Sequence, residues 1–134
     1  MTAEATVLPN KHATLRLVPM PRDTNAAGDI FGGWIMSQVD IAGSIAASRR
    51  AKGRVVTVAV NAFHFVAPAF VNDLVSFYAD VIKVGTTSLT VKVEVYVERG
   101  LRSPKPGEVV KITEAVLTYV AVDESRQKRP VPPE

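Results

Sequence analysis

The feature that most restricts the fold of this chain is one long helix-forming stretch, from about Gly33 to Ala51, apolar on nearly every side. Ile35, Met36, Val39, Ala42, Ile45, Ala46 and Ala47 cover most of its circumference, and a helix of that kind is buried rather than laid on a surface. Lys52-Gly53 ends it. The rest of the chain reads as strands. Ala13 to Val18 alternates and stops at Pro19, and Pro19 to Gly32 is a turn-rich loop. From Arg54 to Val66 both alternating faces are apolar: Val56, Val58, Val60 and Ala62 on one, Val55, Ala59, Phe63 and Phe65 on the other. A strand of that pattern is covered on both faces, and Pro68 ends it. Leu74–Val84 meets a Gly85-Thr86-Thr87 turn and returns with Leu89, Val91, Val93, Val95 and Val97 inward, a hairpin with one solvent face. A polar loop, Arg99 to Gly107, precedes a last strand from Glu108 to Val122. One helix covers such a sheet, and is itself covered, only if the curved sheet wraps it. The expected class is therefore α+β, a curved antiparallel sheet around one central helix. Apolar residues left over on the Val55-to-Phe65 strand imply a second copy, with a two-fold dimer the commonest form.

Composition adds limits. With 134 residues, 47% hydrophobic and 22% charged, the chain suits a single domain, 1–134, with irregular or frayed ends at 1–12 and 124–134. The absence of cysteine removes disulfides, thiolate nucleophiles and Cys-ligated zinc. No apolar run reaches membrane-spanning length and no signal peptide is evident, so the cytoplasm is the expected compartment and no membrane partner is expected. A net charge of +3 is mildly basic. Arg49, Arg50, Lys52 and Arg54 gather where the helix ends; they suit ligand phosphates and equally complement the helix dipole. Nothing resembling an aromatic-basic RNA platform or a helix-turn-helix accompanies them, so nucleic acid is not the expected partner.

The chemistry concentrates in Asp23-Thr-Asn-Ala-Ala-Gly-Asp-Ile-Phe-Gly-Gly-Trp-Ile-Met-Ser-Gln-Val-Asp40. A loop enters a helix whose first N–H groups are free and whose dipole favours negative charge. Asp40 follows, an ionisable group among Met, Val, Ile and Ala. The layout suits ester or thioester hydrolysis: an oxyanion at the helix start, a carboxylate to handle water. A structural alternative has Asp40 bonding Ser37 or Ser44, with which it forms a polar stripe at helical spacing.

Pro21 to Asp40 closely resembles the hotdog-fold acyl-CoA thioesterases of the YciA type, the cytosolic acyl-CoA hydrolase family. Gly53-Arg-Val-Val-Thr-Val-Ala-Val60, Lys83-Val-Gly-Thr-Thr-Ser88 and Val91-Lys-Val-Glu-Val95 extend the likeness over nearly the whole chain, in the family's order. The resemblance implies a hotdog fold that dimerises into a continuous sheet, often assembled further as a trimer of dimers. It implies hydrolysis of acyl-CoA to free acid and CoA, with no metal and no cofactor beyond the CoA of the substrate. Asp40 falls on the family's catalytic carboxylate, as general base or as nucleophile. Asn25 falls on the loop Asn that acts across the dimer interface, although Asp-Thr-Asn-Ala is also ordinary turn chemistry. Gly32 and Gly33 admit a carbonyl close to the backbone, with the N–H of Gly33 or Trp34 as oxyanion donor.

The Gly85-Thr86-Thr87-Ser88 turn resembles the family's CoA contact region, and Arg49, Arg50 and Arg54 are candidates for the nucleotide phosphates. Met36, Val60 and Phe63 are the expected acyl-pocket residues. His64, between Phe63 and Phe65, reads as a neutral core histidine. Two other functions remain open here. A non-enzymatic acyl-CoA-binding or regulatory protein is one, against which Asp40 and Asn25 argue. A hydratase or dehydratase is the other, for which neither histidine is well placed.

Overall fold

The structure, a computed structural model, describes residues 5–134; residues 1–4 of the segment expected to be irregular lie outside it. The order is β1 (Leu15–Leu17), a 3-10 turn (Pro21–Asp23), α1 (Gly32–Ala51), β2 (Val55–Phe65), β3 (Leu74–Val84), β4 (Ser88–Glu98) and β5 (Val109–Ala121). The strands form one antiparallel sheet in the order β1-β3-β4-β5-β2, with α1 against its inner face. The expected strand–loop–helix–strands plan holds, with β1 shorter than its alternating pattern suggested.

Period-two alternation builds the sheet. Val91, Val93, Val95 and Val97 of β4 are fully buried with Leu117 and Tyr119 of β5 and Phe77 of β3, while Thr90, Lys92, Glu94 and Tyr96 face outward. On that outer face Lys92 pairs with Glu114 at 2.9 Å and Lys111 with Glu94 at 2.7 Å. Small residues let α1 lie close to the strands: Ala42, Gly43 and Ala47 are buried beside Ile35 and Val39. The helix stops at Lys52, in the left-handed region at φ 54°, whose N–H bonds the Ser48 carbonyl.

Three expectations are corrected. The helix is not covered all round in the single chain: Met36 and Ile41 are 43% and 47% exposed, because the sheet wraps only one side. Nor is β2 covered on both faces. It is the sheet's edge, and Val58, Val60 and Phe65 stand about half exposed there. For the same reason His64 is exposed, on the outer side of an edge strand, and is no core histidine. Two register shifts also break the strict alternation of β2, leaving Val58 and Asn61 as extra residues against β5.

The last residues form no helix or strand, but residues 128–134 are tied down rather than frayed. Arg129 donates to the carbonyls of Ala51 (3.0 Å), Val122 (2.9 Å) and Arg54 (3.4 Å), and the Val131 N–H bonds the Thr86 carbonyl at 2.8 Å. Among the described residues no helix is long and apolar enough to cross a membrane.

Candidate active site

The loop before α1 is a tight, self-bonded structure. Thr24 bridges Ile30, the Ile30 N–H bonds the Ala69 carbonyl at 3.0 Å, and the Phe31 N–H bonds the Asp23 carbonyl at 2.9 Å. Asn25 sits at its tip. Its Oδ1 accepts from the N–H groups of Ala27 (3.0 Å) and Asp29 (3.1 Å), and Gly28, at φ 89°, closes the turn. Within one chain, then, the carbonyl half of the Asn25 amide does the turn chemistry. The Nδ2 donors have no partner among the described residues.

No side chain caps the start of α1. The Trp34 N–H is taken by the Phe31 carbonyl at 3.1 Å, which removes it as an oxyanion donor and leaves Gly33. A Cβ built on Gly33 would meet nothing within 4 Å, so side-chain bulk is tolerated there.

Asp40 is not held by Ser37 or Ser44; the Ser44 hydroxyl bonds the Ile41 carbonyl instead. The partners of Asp40 come from the sheet. The Thr57 hydroxyl donates to Oδ1 at 2.7 Å, and the Tyr119 phenol donates to Oδ1 at 3.0 Å and to the Asp40 carbonyl at 2.9 Å. Thr57 and Tyr119 are register partners across β2 and β5, so both side chains leave the same face and meet the helix together. The bulge at Val58 follows directly, the kind of feature that re-aims a side chain beside a site. Burial, and then the charge of Asp40, push the Tyr119 phenol above the usual tyrosine range, so it stays a donor at any ordinary pH. With both hydroxyls on Oδ1, Oδ2 has no hydrogen-bond partner among the described residues.

Sequence reasoning singled out Asp40 and did not anticipate Thr57 and Tyr119 beside it. The available signal was a tyrosine in the inward register of β5, where a buried hydroxyl requires a partner.

Of the residues expected to line an acyl pocket, Val60 and Phe63 share one face of β2. Val60 and Phe63 pair with Leu117 and Ala115, both buried on the inner face, because the bulge at Asn61 cancels the alternation that would have parted them. Met36 and Val60 are exposed. None of the three lines the cavity of about 200 Å³ that opens elsewhere, between Phe70–Asp73 and Gly100–Pro104.

At the other end of α1, the Gly85–Ser88 turn is closed by the Gly85 N–H on the Ser88 carbonyl at 2.8 Å. A Cβ on Gly85 would meet the Ser88 hydroxyl at 2.6 Å, a side-chain end that can rotate away. Arg50 is occupied by the tail, with Nη1 on the Pro132 carbonyl at 2.6 Å and Glu134 at 3.5 Å from Nε, whereas Arg49 and Arg54 are exposed. Among the described residues no three His, Cys, Asp or Glu side chains gather to hold a metal ion.

The profile of the thioesterase superfamily matches residues 27–104. The acyl-CoA thioester hydrolase YciA of Escherichia coli is 47% identical over 127 residues, 95% of this chain and 96% of that protein. Cj0915, a hexameric hotdog fold thioesterase of Campylobacter jejuni, superposes with a TM-score of 0.86 at 43% identity, over 91% of each chain. HI0827, a hexameric broad specificity acyl-coenzyme A thioesterase, superposes with a TM-score of 0.85 at 46% identity, over 100% of this chain and 86% of that one.

Proposed function

The chain belongs to the thioesterase superfamily, and we propose that it hydrolyses acyl-CoA thioesters to free acid and CoA. Its hotdog fold supplies the frame, and the observation that carries the chemistry is the carboxylate of Asp40, pinned through Oδ1 with Oδ2 left open.

In the proposed reaction the substrate carbonyl sits at the start of the second copy's α1, where the N–H of Gly33 of the partner subunit and that helix's dipole receive the developing oxyanion beside the Asp40 carboxylate of the first copy. Oδ2 of Asp40 takes a proton from water as the water oxygen bonds the carbonyl carbon. The C–S bond then breaks, and the proton leaves with the CoA thiolate. Attack by Oδ2 itself, giving a mixed anhydride that water opens, uses the same geometry. Asn25 of the partner subunit supplies its free Nδ2 donors to the water or the thioester carbonyl. Met36, Val60 and Phe63 contact the acyl chain, and the second copy closes a pocket that one chain leaves open. The Gly85–Ser88 turn, with Arg49 and Arg54, receives the CoA moiety. Arg50 joins them only by leaving the tail.

The assembly we propose is a hexamer, as in the structural neighbours, built from dimers that join β2 edges into a continuous sheet. The exposed apolar residues of β2 and α1 support that pairing. The cytoplasm is the compartment we propose, and cell fractionation checks it.

The test is thiol release from a panel of short, long and aromatic acyl-CoAs, with Asp40→Asn alongside. Turnover that falls by roughly 10²- to 10⁴-fold in the variant, with CoA still bound, supports the reading. Intact CoA binding without cleavage of any substrate would replace it with a binding protein.

A further inference from the structure

We propose that Tyr119 is a positioning residue for the hydrolysis: with Thr57 it commits Oδ1 of Asp40 and thereby assigns the reaction to Oδ2. The inference rests on the reading of Asp40 as the reacting carboxylate.

A phenol has one proton. Here it lies between two oxygens of the same residue, the Asp40 carbonyl at 2.9 Å and Oδ1 at 3.0 Å. A tyrosine that merely needed a partner for a buried hydroxyl would be satisfied by a helix carbonyl alone. This one ties the carboxylate to its own backbone, which fixes the side-chain rotation of Asp40. Thr57 reaches the same oxygen at 2.7 Å from the opposite strand position. Two donors on one oxygen draw its electron density and leave the unbonded oxygen free for a proton or a carbonyl carbon.

The helix is shaped to admit this contact. A Cβ at Gly43 would stand 2.3 Å from the Tyr119 hydroxyl oxygen and 3.0 Å from the ring carbon that bears it. Glycine inside a helix costs about 1 kcal/mol relative to alanine, and Gly43 faces the sheet where alanine serves at Ala42 and Ala47. Gly43 is therefore the gap through which the phenol reaches Asp40. Tyr119 is itself fully buried and touches no space a substrate would occupy, so its action runs through Asp40.

The test is Tyr119→Phe, which keeps the ring and removes the oxygen. Loss of a hydrogen bond to a charged group predicts a kcat about 10- to 100-fold lower, with KM within about twofold of wild type. Unchanged kcat in Tyr119→Phe, beside a crippled Asp40→Asn, overturns the positioning role and spares the functional reading. Normal turnover by Asp40→Asn overturns both. A rise in KM matching the loss in kcat, together with a lowered Tm, marks a structural tyrosine and also overturns the proposal. Gly43→Ala gives a second arm read by folding alone. Its loss of Tm shrinks in the Tyr119→Phe background, where the oxygen that the new methyl meets is gone. An equal loss in both backgrounds denies that the gap serves the phenol.

Discussion

Replacing Asp73 by alanine tests how the candidate active-site loop is supported. Asp73 is 2% exposed, and the side chain of its partner Arg99 is 10% exposed. One carboxylate closes three donors: Nη1 of Arg99 at 2.8 Å, the Phe70 N–H at 2.8 Å and the Gly100 N–H at 3.2 Å. Arg99 in turn donates to the Pro68 carbonyl at 2.9 Å and stacks 5.0 Å above the Phe70 ring. The variant thus orphans a buried guanidinium and two backbone N–H groups at once, in two crossing loops. Removing one partner of a buried pair costs about 3–5 kcal/mol, and the orphaned donors are part of that figure. For a chain of this length that is a fall in Tm of roughly 10–20 °C. Urea unfolding at fixed protein concentration measures it, since assembly makes stability concentration-dependent. Asp73→Ala/Arg99→Leu should be more stable than the sum of the single losses, because no charge is then left unpaired. The loop 66–73 also carries Ala69, whose carbonyl receives the Ile30 N–H of the loop that bears Asn25, so activity should fail at a lower temperature than in wild type. A loss under about 1 kcal/mol, or strict additivity in the double variant, refutes this account.

Gly33→Pro removes the proposed oxyanion donor at a helix start that tolerates proline, so kcat should fall by about 10²- to 10³-fold with the helix retained; Gly33→Ala, which meets open space, should stay near wild type. Normal turnover by Gly33→Pro would clear that N–H of any role. Asp40→Asn and Asn25→Ala, each inactive, should regain part of the activity when mixed as heterodimers, and no recovery in verified mixed dimers would argue against shared sites. Arg129→Ala should release the tail, seen as faster hydrogen exchange at the Val131 amide, because three carbonyls lose their donor. Unchanged exchange would mean that the tail is held by other contacts. On the outer sheet face, the hydrogen bond from Lys92 lowers the Glu114 carboxyl below 4.5. Its stabilisation is present above the ordinary carboxylate range and is lost as pH falls through the lowered value. The same pair raises Lys92 above 10.5, so the contribution is also lost as pH rises beyond that. Glu114→Gln should therefore cost less than about 1 kcal/mol near neutrality, with the difference from wild type vanishing in acid; a difference that persists well below pH 4 would exclude the pairing as its source.

The fold was legible where periodicity was strong. The hairpin of β3 and β4 alternates cleanly because one face is buried and the other wet, and the helix was marked by its uninterrupted apolar composition between a turn-rich loop and Lys52-Gly53. It was illegible where a second chain is implied. An edge strand and a half-covered helix carry core-like residues, so β2, α1 and His64 read as interior although one chain leaves them exposed. At the site, Asp40 was visible as an acid in apolar surroundings. Thr57 and Tyr119 were not, because their approach depends on the register of two strands 62 residues apart, which no local pattern encodes. Trp34 and Gly33 were equivalent as letters, and only the bond from Trp34 to Phe31 separates them.

The two extra residues of β2 bear on how such a chain can change in length. Insertions and deletions normally survive in loops and are lethal in strands, where a one-residue slip turns every later side chain over. In β2 the rule is inverted at two places. Deleting Asn61 would let Val60 and Ala62 oppose Leu117 and Val116 as they already do, with Phe63 still inward, at the loss of one bond from the Thr118 hydroxyl. Deleting Ala62 instead would draw Asn61 into the ladder beside Val116 and leave the strand without its second bulge. Drawing Asn61 in without any deletion would turn Phe63 outward and His64 inward, exchanging an aromatic wall for an imidazole with no residue substituted. The middle of this strand is thus a place where the chain can lose a residue and keep its lining, or keep its length and change its lining.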